Sequence, residues 1–325
     1  EHAGDAEYSL LTRSSDGQML FLANMLSKMK ASTRLGSRIA EVHNGSSLFT
    51  GDAGQGESNI RRWIIENDWL EAIVALPLNM FYNTGIATYV WVLTNRKPAH
   101  RRGKVQLIDA TPWFKPLRKN LGKKNCELSE ADIQRICDTF LAFKETEQSK
   151  IFPKAAFGYW KVTVERPLRL KGVDANRAYS PKEIKALKET AERAEDAPPV
   201  IKKIHKRGTA PAPLRGLFAH PMVGADPRGC PVVEYEPDTE LRDTEQVPLL
   251  EEGGIETFLR REVLPHAPGA WYVPDGVKTG YEISFTRQFY KPQPLRTLEE
   301  IRADILALEK ETEGLLGEII GGGGR

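Results

Sequence analysis

The sequence predicts an α/β protein. It reads as the later half of an open nucleotide-type sheet, followed by a mixed, largely helical extension that ends in a coiled-coil helix. Residues 51–95, GDAGQGESNIRRWIIENDWLEAIVALPLNMFYNTGIATYVWVLTN, give the first ground. They run as a Gly-rich loop, an amphipathic helix, a buried strand, an aromatic-tipped loop and a second buried strand. The second ground is a change of texture at Gly158, after which strand-like and charged, Pro/Ala-rich stretches alternate. The third is a strict three-four alternation of Leu298, Ile301, Ile305, Leu308, Thr312, Leu315 and Ile319, which is a coiled-coil seam and implies a partner helix. These divide the chain into 1–157, a charged linker at 158–235, and an extension at 236–325 whose helix at 296–320 docks on a partner.

Each element has a local reason. Asp16 can cap a helix whose apolar positions are Met19, Leu22, Leu26 and Met29, with Lys28 and Lys30 suiting the dipole of its last turn. Arg38–Val42 is a short strand, stopped by Asn44-Gly45. After Gly51, Gly54 and Gly56, a helix from about Glu57 to Asn67 buries Ile60, Trp63 and Ile64 and leaves Arg61, Arg62 and Glu66 outside. Leu70–Leu76 is a continuous apolar strand interrupted only by Glu71 and ended by Pro77. Thr88–Leu93 is β-branched and aromatic, and Lys104–Ile108 follows across a polar turn long enough for a hairpin. The order suggests the end of a mixed, mostly parallel sheet. Ser129 and Asp132 approximate a capping box for a helix to about Phe143.

Further on, Trp160–Val164 is strand-like, a helix lies near Pro181–Glu195, and residues 175–215 are expected to have no core of their own. Pro221–Pro237 is loop-rich, Ile255–Val263 is a short helix, and GGGGR is a flexible end.

Bulk properties narrow the function. Forty-six basic against 44 acidic residues give a net charge of +2, so any nucleic-acid contact must come from local patches or partner subunits. Three cysteines without CxxC spacing favour free thiols in a reducing cytosol. The N-terminus has no signal-peptide pattern, and no apolar stretch approaches the roughly 20 residues needed to span a bilayer. A cytoplasmic protein with no membrane partner is expected. The six histidines form no HxxxH or HEXXH pattern, which disfavours a metal site. The absence of GxSxG removes the commonest hydrolase reading.

The candidate ligand site is the loop after the Leu70–Leu76 strand, because open α/β sheets bind ligands beyond the carboxyl ends of their strands. Phe81 and Tyr82 at its tip are either a stacking face for a planar ligand, such as a base swung out of its helix, or an aromatic plug. Asn83, Thr84 and Gly85 are small, polar and permissive, as a pocket wall requires, and Asn44 at the end of the earlier strand joins that wall. On residues alone the two readings are evenly supported. Gly51, Gly54 and Gly56 read as tight-turn glycines rather than an anion loop, since neither GxGxxG nor GxxxxGK[ST] is present. His43 reads as a strand-end residue, and Lys202, Lys203, His205, Lys206 and Arg207 as a solvated charge run.

The segments DGQMLFLANMLSKMK, RIAEVHNGSSLFTGDAGQGESNIRRWIIENDWLEAIVALP and MFYNTGIATYVWVLTN closely resemble the modification subunit of type I restriction–modification systems, an adenine-N6 DNA methyltransferase family. FLRREVLPHAPGAW, GYEISFTRQFYKPQPLRTLEEI and the final helix also resemble it; the likeness is weakest over residues 171–235. The resemblance implies the C-terminal half of a class I (Rossmann-like) methyltransferase sheet. In that family S-adenosylmethionine lies over the first strands, and an Asn-Pro-Pro-aromatic motif accepts hydrogen bonds from the N6 amino group of a flipped adenine. Positioning then supplies most of the acceleration.

The resemblance further implies that Phe81, with Tyr82 as the alternate, stacks on the base. It also implies that Leu298, Ile301, Ile305, Leu308, Leu315 and Ile319 contact the DNA-specificity subunit, in a complex with the restriction subunit and double-stranded DNA. Neither the Gly-rich cofactor loop nor the Asn-Pro-Pro-aromatic motif occurs in this sequence. No catalytic or cofactor-binding residue is therefore assigned here, and the chain alone is expected to be a truncated or partial product, inactive in methylation. The competing expectation is a non-catalytic assembly module that binds the specificity subunit.

Overall fold

The computed structural model describes residues 10–205, 232–291 and 295–321, with the side chains of the last helix described through Lys310 and at Thr312. Helix α1 (Gln18–Ser27) precedes strand β1 (Arg38–Asn44), the one-turn helix α2 (Ser46–Phe49) and helix α3 (Gly56–Glu66). Strands β2 (Leu70–Ala75), β3 (Thr88–Thr94) and β4 (Lys104–Asp109) follow, then the hairpin β5 (Lys115–Leu121) and β6 (Lys124–Glu127), helix α4 (Glu130–Ala142) and β7 (Ser149–Pro153). The first sheet has the order β1-β3-β2-β4-β7.

Only the β2–β4 pair is parallel; β1–β3, β2–β3 and β4–β7 are antiparallel. This corrects the mostly parallel sheet and the expected Thr88–Ile108 hairpin. Every residue of β2 is buried, so it requires a neighbour on each side. β3 covers one edge and β4 crosses to the other. Helix α4, opened by the Ser129–Asp132 capping box, lays Ile136 and Phe140 against Val74, Leu76, Ile108, Ala110 and Trp113.

Two local expectations also change. Helix α1 ends at Ser27, so Met29, Lys28 and Lys30 lie beyond its last turn. Gly17 occupies its N-cap, while Asp16 Oδ1 accepts from the Gln18 amide at 3.1 Å. Arg61 is fully buried instead of facing solvent. Its Nε donates to the Tyr281 carbonyl at 2.6 Å, and its two Nη atoms donate to the Ser47 and Thr50 carbonyls at 3.0 and 2.7 Å. Burial lowers its pKa to about 10, which leaves it charged at neutral pH. A guanidinium that satisfies several otherwise stranded carbonyls offsets its own desolvation.

The expectation that residues 175–215 lack a core is overturned within the described residues. Leu168, Leu170, Val173, Tyr179, Ile184 and Val200 form a buried cluster. Ile184 comes from helix α5 (Pro181–Thr190), started by a Ser180–Glu183 capping box with Pro181 at its first turn. The sequence hid this core because its apolar residues are spread between charged ones over some thirty positions.

Strand β8 (Gly158–Glu165) is central to a second sheet. Strand β9 (Ile201–His205) pairs with β10 (Val232–Tyr235) inside the stretch expected to be loop. Strand β11 (Asp243–Pro248) covers one edge of β8. Helix α6 (Gly254–Phe258) continues as a π turn over Leu259–Val263, and its Leu259 and Val263 pack on Val164. Strands β12 (Trp271–Tyr272) and β13 (Lys278–Tyr281) pair with the other edge of β8, and helix α7 (Phe285–Phe289) follows. The segment after residue 235 thus contributes strands as well as helices.

The chain separates into one compact unit through Phe285 and another from Thr286 onward. The second holds helix α8 (Leu298–Gly321). On it Leu298, Ile301, Ile305 and Leu308 are all exposed, while the side chains of Leu315 and Ile319 lie outside the described residues. The GGGGR tail beyond Gly321, Cys230, Lys206 and Arg207 are likewise outside them. No helix among the described residues is long and apolar enough to cross a membrane.

Candidate functional site

Strands β1, β2 and β4 run in one direction, so their carboxyl ends share an edge of the sheet. That edge gathers Asn44, the loop at 76–87 and the turn after Asp109. The loop is pinned from below by Met80, which packs on the Val74–Ile108–Trp113 cluster. Asn79 and Asn83 take left-handed backbone angles, φ +57° and +58°, which asparagine tolerates better than most residues. At Gly85 a Cβ would sit 2.8 Å from Asn79 Oδ1, so only glycine fits that approach without a shift. With Met80 turned inward, Phe81 is 36% exposed and Tyr82 66% exposed. Neither ring is sealed beneath neighbouring side chains.

The hairpin β5–β6 abuts this loop. The Asn125 amide donates to the Asn79 carbonyl at 3.0 Å, and Cys126 Sγ donates to the Leu78 carbonyl at 3.1 Å. Gly122, at φ +61° in the hairpin turn, lies against Asn83 Oδ1 and the Tyr82 ring. Between loop and hairpin is a cleft of about 510 Å³, lined by Leu78, Asn79, Thr111, Phe114, Asn120 and Asn125 among others. Its amides can donate and accept, and Phe114 is exposed. The predicted residues Phe81, Tyr82, Asn83, Thr84, Gly85 and Asn44 sit around this edge but do not line that cleft.

Asn44 is committed to a network at the end of β1. Its Oδ1 accepts from the Ser46 amide at 2.9 Å and from Gln18 Nε2 at 3.1 Å. Gln18 Nε2 also donates to Asp16 Oδ2 at 2.8 Å and Ser46 Oγ at 2.7 Å. The Gln18 amide holds the Asp16 carboxyl below its ordinary range. Thr84 Oγ1 accepts from the Ile86 amide at 3.4 Å, a bond within the loop itself.

His43 is buried in β1, edge-on to Trp91 at 5.7 Å between ring centroids. Burial lowers its pKa to about 4, opposed by the Asp16 charge, so it is neutral at physiological pH. Nδ1 lies 3.3 Å from Gln18 Oε1 and Nε2 lies 3.2 Å from Glu41 Oε2, whose carboxyl is raised by burial. The strand position read from sequence is the one it occupies.

The glycine loop has the geometry of a turn: Gly51 and Gly54 have φ of +88° and +80°. A Cβ on Gly56 would fall 2.0 Å from the Leu11 carbonyl oxygen. The loop presents carboxylates, Asp52 paired with Lys161 and Glu57 bonded to Arg13, which suits no anion. Lys202 and Lys203 lie on β9, with Lys202 3.5 Å from Glu234. Among the described residues no cluster of potential ligands could hold a metal ion.

Sequence reasoning passed over Phe114 and the hairpin. Their signal was present in FKPLRKNLGKKN, a run of five cations with no acid.

The N-6 DNA methylase family matches residues 5–159. The type I restriction enzyme MjaIX methylase subunit of Methanocaldococcus jannaschii is 38% identical over 95 residues, covering 29% of this chain and 16% of that protein. The MjaVII methylase subunit of the same organism is 32% identical over 112 residues, covering 34% and 18%. Among solved structures, the type I restriction-modification system methyltransferase subunit from Streptococcus thermophilus is similar over 48% of this chain and 31% of its own. It shows 24% identity and a TM-score of 0.40. The aligned part of the chain spans less than a fifth of the length of these curated relatives. Residues 5–159 thus match the N-6 DNA methylase family, and methylase subunits of type I restriction enzymes are among the proteins to which this chain is similar.

Proposed function

We propose that this chain is the base-holding and partner-docking portion of an adenine-N6 DNA methyltransferase subunit of a type I restriction–modification complex. Its substrate is an adenine extruded from double-stranded DNA. S-adenosylmethionine, bound by the whole subunit, supplies the methyl group. The observation that supports this most is the pair Phe81–Tyr82, held out from the carboxyl edge of the sheet while Met80 anchors the loop beneath them. An aromatic face in that position offers the purine a surface to replace the stacking it loses on leaving the duplex. Phe81 is the stacking ring and Tyr82 its alternate, with Asn44, Asn83, Thr84 and Gly85 as the polar wall.

The described residues do not fit S-adenosylmethionine. The Gly51–Gly56 loop is closed by Leu11 and lined by the Asp52 and Glu57 carboxylates. The acceptors for N6 belong to a motif this sequence lacks, so the chain contributes positioning only. Docking on the DNA-specificity subunit falls to Leu298, Ile301, Ile305 and Leu308, with Leu315 and Ile319 continuing the seam. The restriction subunit completes the complex, and a cytoplasmic location accords with all three partners.

Phe81→Ala in the complete subunit is expected to reduce methyl transfer about fivefold to 150-fold, as loss of about 1–3 kcal/mol of base stacking requires. Tritium transfer to duplex DNA measures it, and wild-type turnover refutes the stacking role. Leu308→Glu is expected to abolish co-purification with the specificity subunit while leaving the circular dichroism of the chain unchanged.

A second reading, a non-catalytic assembly module, is favoured by the exposed seam of α8 together with the missing motifs. Mixing the chain with a fragment that bears those motifs separates the two. Restored methylation supports the enzyme, and stable binding to the specificity subunit without activity supports the module.

A further inference from the structure

We infer that the β5–β6 hairpin is a phosphate-contacting finger, gripping the DNA backbone beside the extruded adenine through Arg118, Lys119 and Lys123. The inference rests on the methyltransferase reading for the identity of the nucleic acid. Its own grounds are charge and placement. The chain as a whole is nearly neutral, yet Lys115, Arg118, Lys119, Lys123 and Lys124 fall within ten residues that contain no acid. All but Lys124 are exposed, and among the described residues none of these side chains makes an ion pair. Elsewhere in the chain cations are commonly paired, as Lys97 is with Asp68 and Arg242 with Glu165. A run of unpaired cations raises the local potential where it stands and attracts a polyanion.

Placement decides what that polyanion meets. The hairpin is hydrogen-bonded to the Phe81–Tyr82 loop at Asn79 and Leu78, and a Cβ on Gly122 at its turn would fall 2.5 Å from Asn83 Oδ1 and 3.3 Å from the Tyr82 ring. Cations and proposed stacking ring therefore belong to one rigid edge. At about 3.3 Å per residue the seven residues of β5 run about 20 Å. One DNA strand advances about 3.4 Å per phosphate along the helix axis, so the finger spans several. Contacts of this kind fix register without reading sequence, which accords with recognition lying in another subunit.

The test is the salt dependence of duplex binding by the assembled methylase complex, measured by fluorescence anisotropy over a series of KCl concentrations. The triple variant Arg118→Gln, Lys119→Gln, Lys123→Gln is compared with the charge-retaining set Arg118→Lys, Lys119→Arg, Lys123→Arg. Each lost phosphate contact lowers the slope of log K against log salt by about 1, so the triple variant should lose about 2–3. Its affinity should fall at least tenfold for target and scrambled duplexes alike, and the charge-retaining set should match wild type. An unchanged slope, or no duplex binding by the wild-type complex, overturns the inference. So does an unchanged slope accompanied by loss of a partner subunit, which would give the hairpin to an acidic protein surface. Methyl transfer is assayed on the same samples after addition of the fragment that bears the missing motifs. Its absence from the wild-type complex, together with the expected slope change, would sink the methyltransferase reading and leave the DNA-binding finger standing.

Discussion

At the amino edge of the first sheet polar side chains are buried and paired, whereas at its carboxyl edge apolar rings stand in solvent. Glu71 on β2 is 1% exposed, 3.0 Å from Arg38 and 3.5 Å from Arg101. Arg101 in turn lies over the Phe140 and Phe143 rings at 4.1 and 4.3 Å. Lys97 donates to Asp68 at 2.6 Å and to the Lys104 carbonyl at 2.7 Å. At the other edge Leu78, Phe81, Tyr82, Ile86 and Phe114 are exposed within a short distance of the chain. A folded protein gains nothing in stability from leaving such groups in water. The first edge serves the fold; the second carries the exposed rings that the proposed base-holding role requires.

The largest effect should come from the paired edge. Glu71→Ala leaves the Arg101 guanidinium buried without its carboxylate, and a loss of about 3–5 kcal/mol in unfolding free energy is expected. Denaturant titration measures it, and a loss under about 1 kcal/mol would break the contrast between the edges.

An intermediate effect is expected at His43, beneath the carboxyl edge. Its folded pKa, about 4, lies below the ordinary 6.5, so the unfolded chain takes the proton first as pH falls. Stability contributed by the neutral imidazole is present above pH 6.5 and is lost between there and about 4. Glu41, raised by burial and facing the same ring, works in the opposite sense. Asp16, held low, stays ionised across most of that range. His43→Gln should remove on the order of 2 kcal/mol of this acid sensitivity. Unfolding at neutral and mildly acidic pH tests it; identical pH dependence in the two proteins would count against a buried neutral histidine.

The smallest effect on stability belongs to the open edge. Phe81→Ala should shift the unfolding free energy by no more than about 0.5 kcal/mol, as exposed positions do. A shift above about 2 kcal/mol would make Phe81 a packing residue and sharpen the contrast in the other direction.

Much of this was legible in the sequence. The strand at 70–76, the helix opened by Ser129 and the exposed loop tip follow from periodicity, capping and turn chemistry. Sheet order was not legible, because nothing in Lys104–Ile108 states which neighbour it will take; the burial of β2 on both sides decides it. Arg61 was placed outside by helical spacing, since spacing cannot anticipate carbonyls delivered by Ser47, Thr50 and the distant Tyr281. The Leu168–Val200 core was invisible for a related reason: its members meet only in space. At the proposed site, the exposure of the Phe81–Tyr82 tip was legible in the sequence, but the hairpin beside it was not read.

The Arg61 lock also separates kinship from autonomy. Its Nε rests on Tyr281, whose amide donates to Ser58 Oγ at 3.1 Å and whose hydroxyl donates to Glu66 Oε1 at 3.3 Å. Helix α3, within the stretch shared with methylases, thus leans on a strand that lies more than a hundred residues past the end of that stretch. An excised piece ending at residue 159 would keep only the first two residues of β8, lose all three strands that pair with it, and strand a buried cation. The stretch matched by the family and the unit that folds cooperatively thus end at different places.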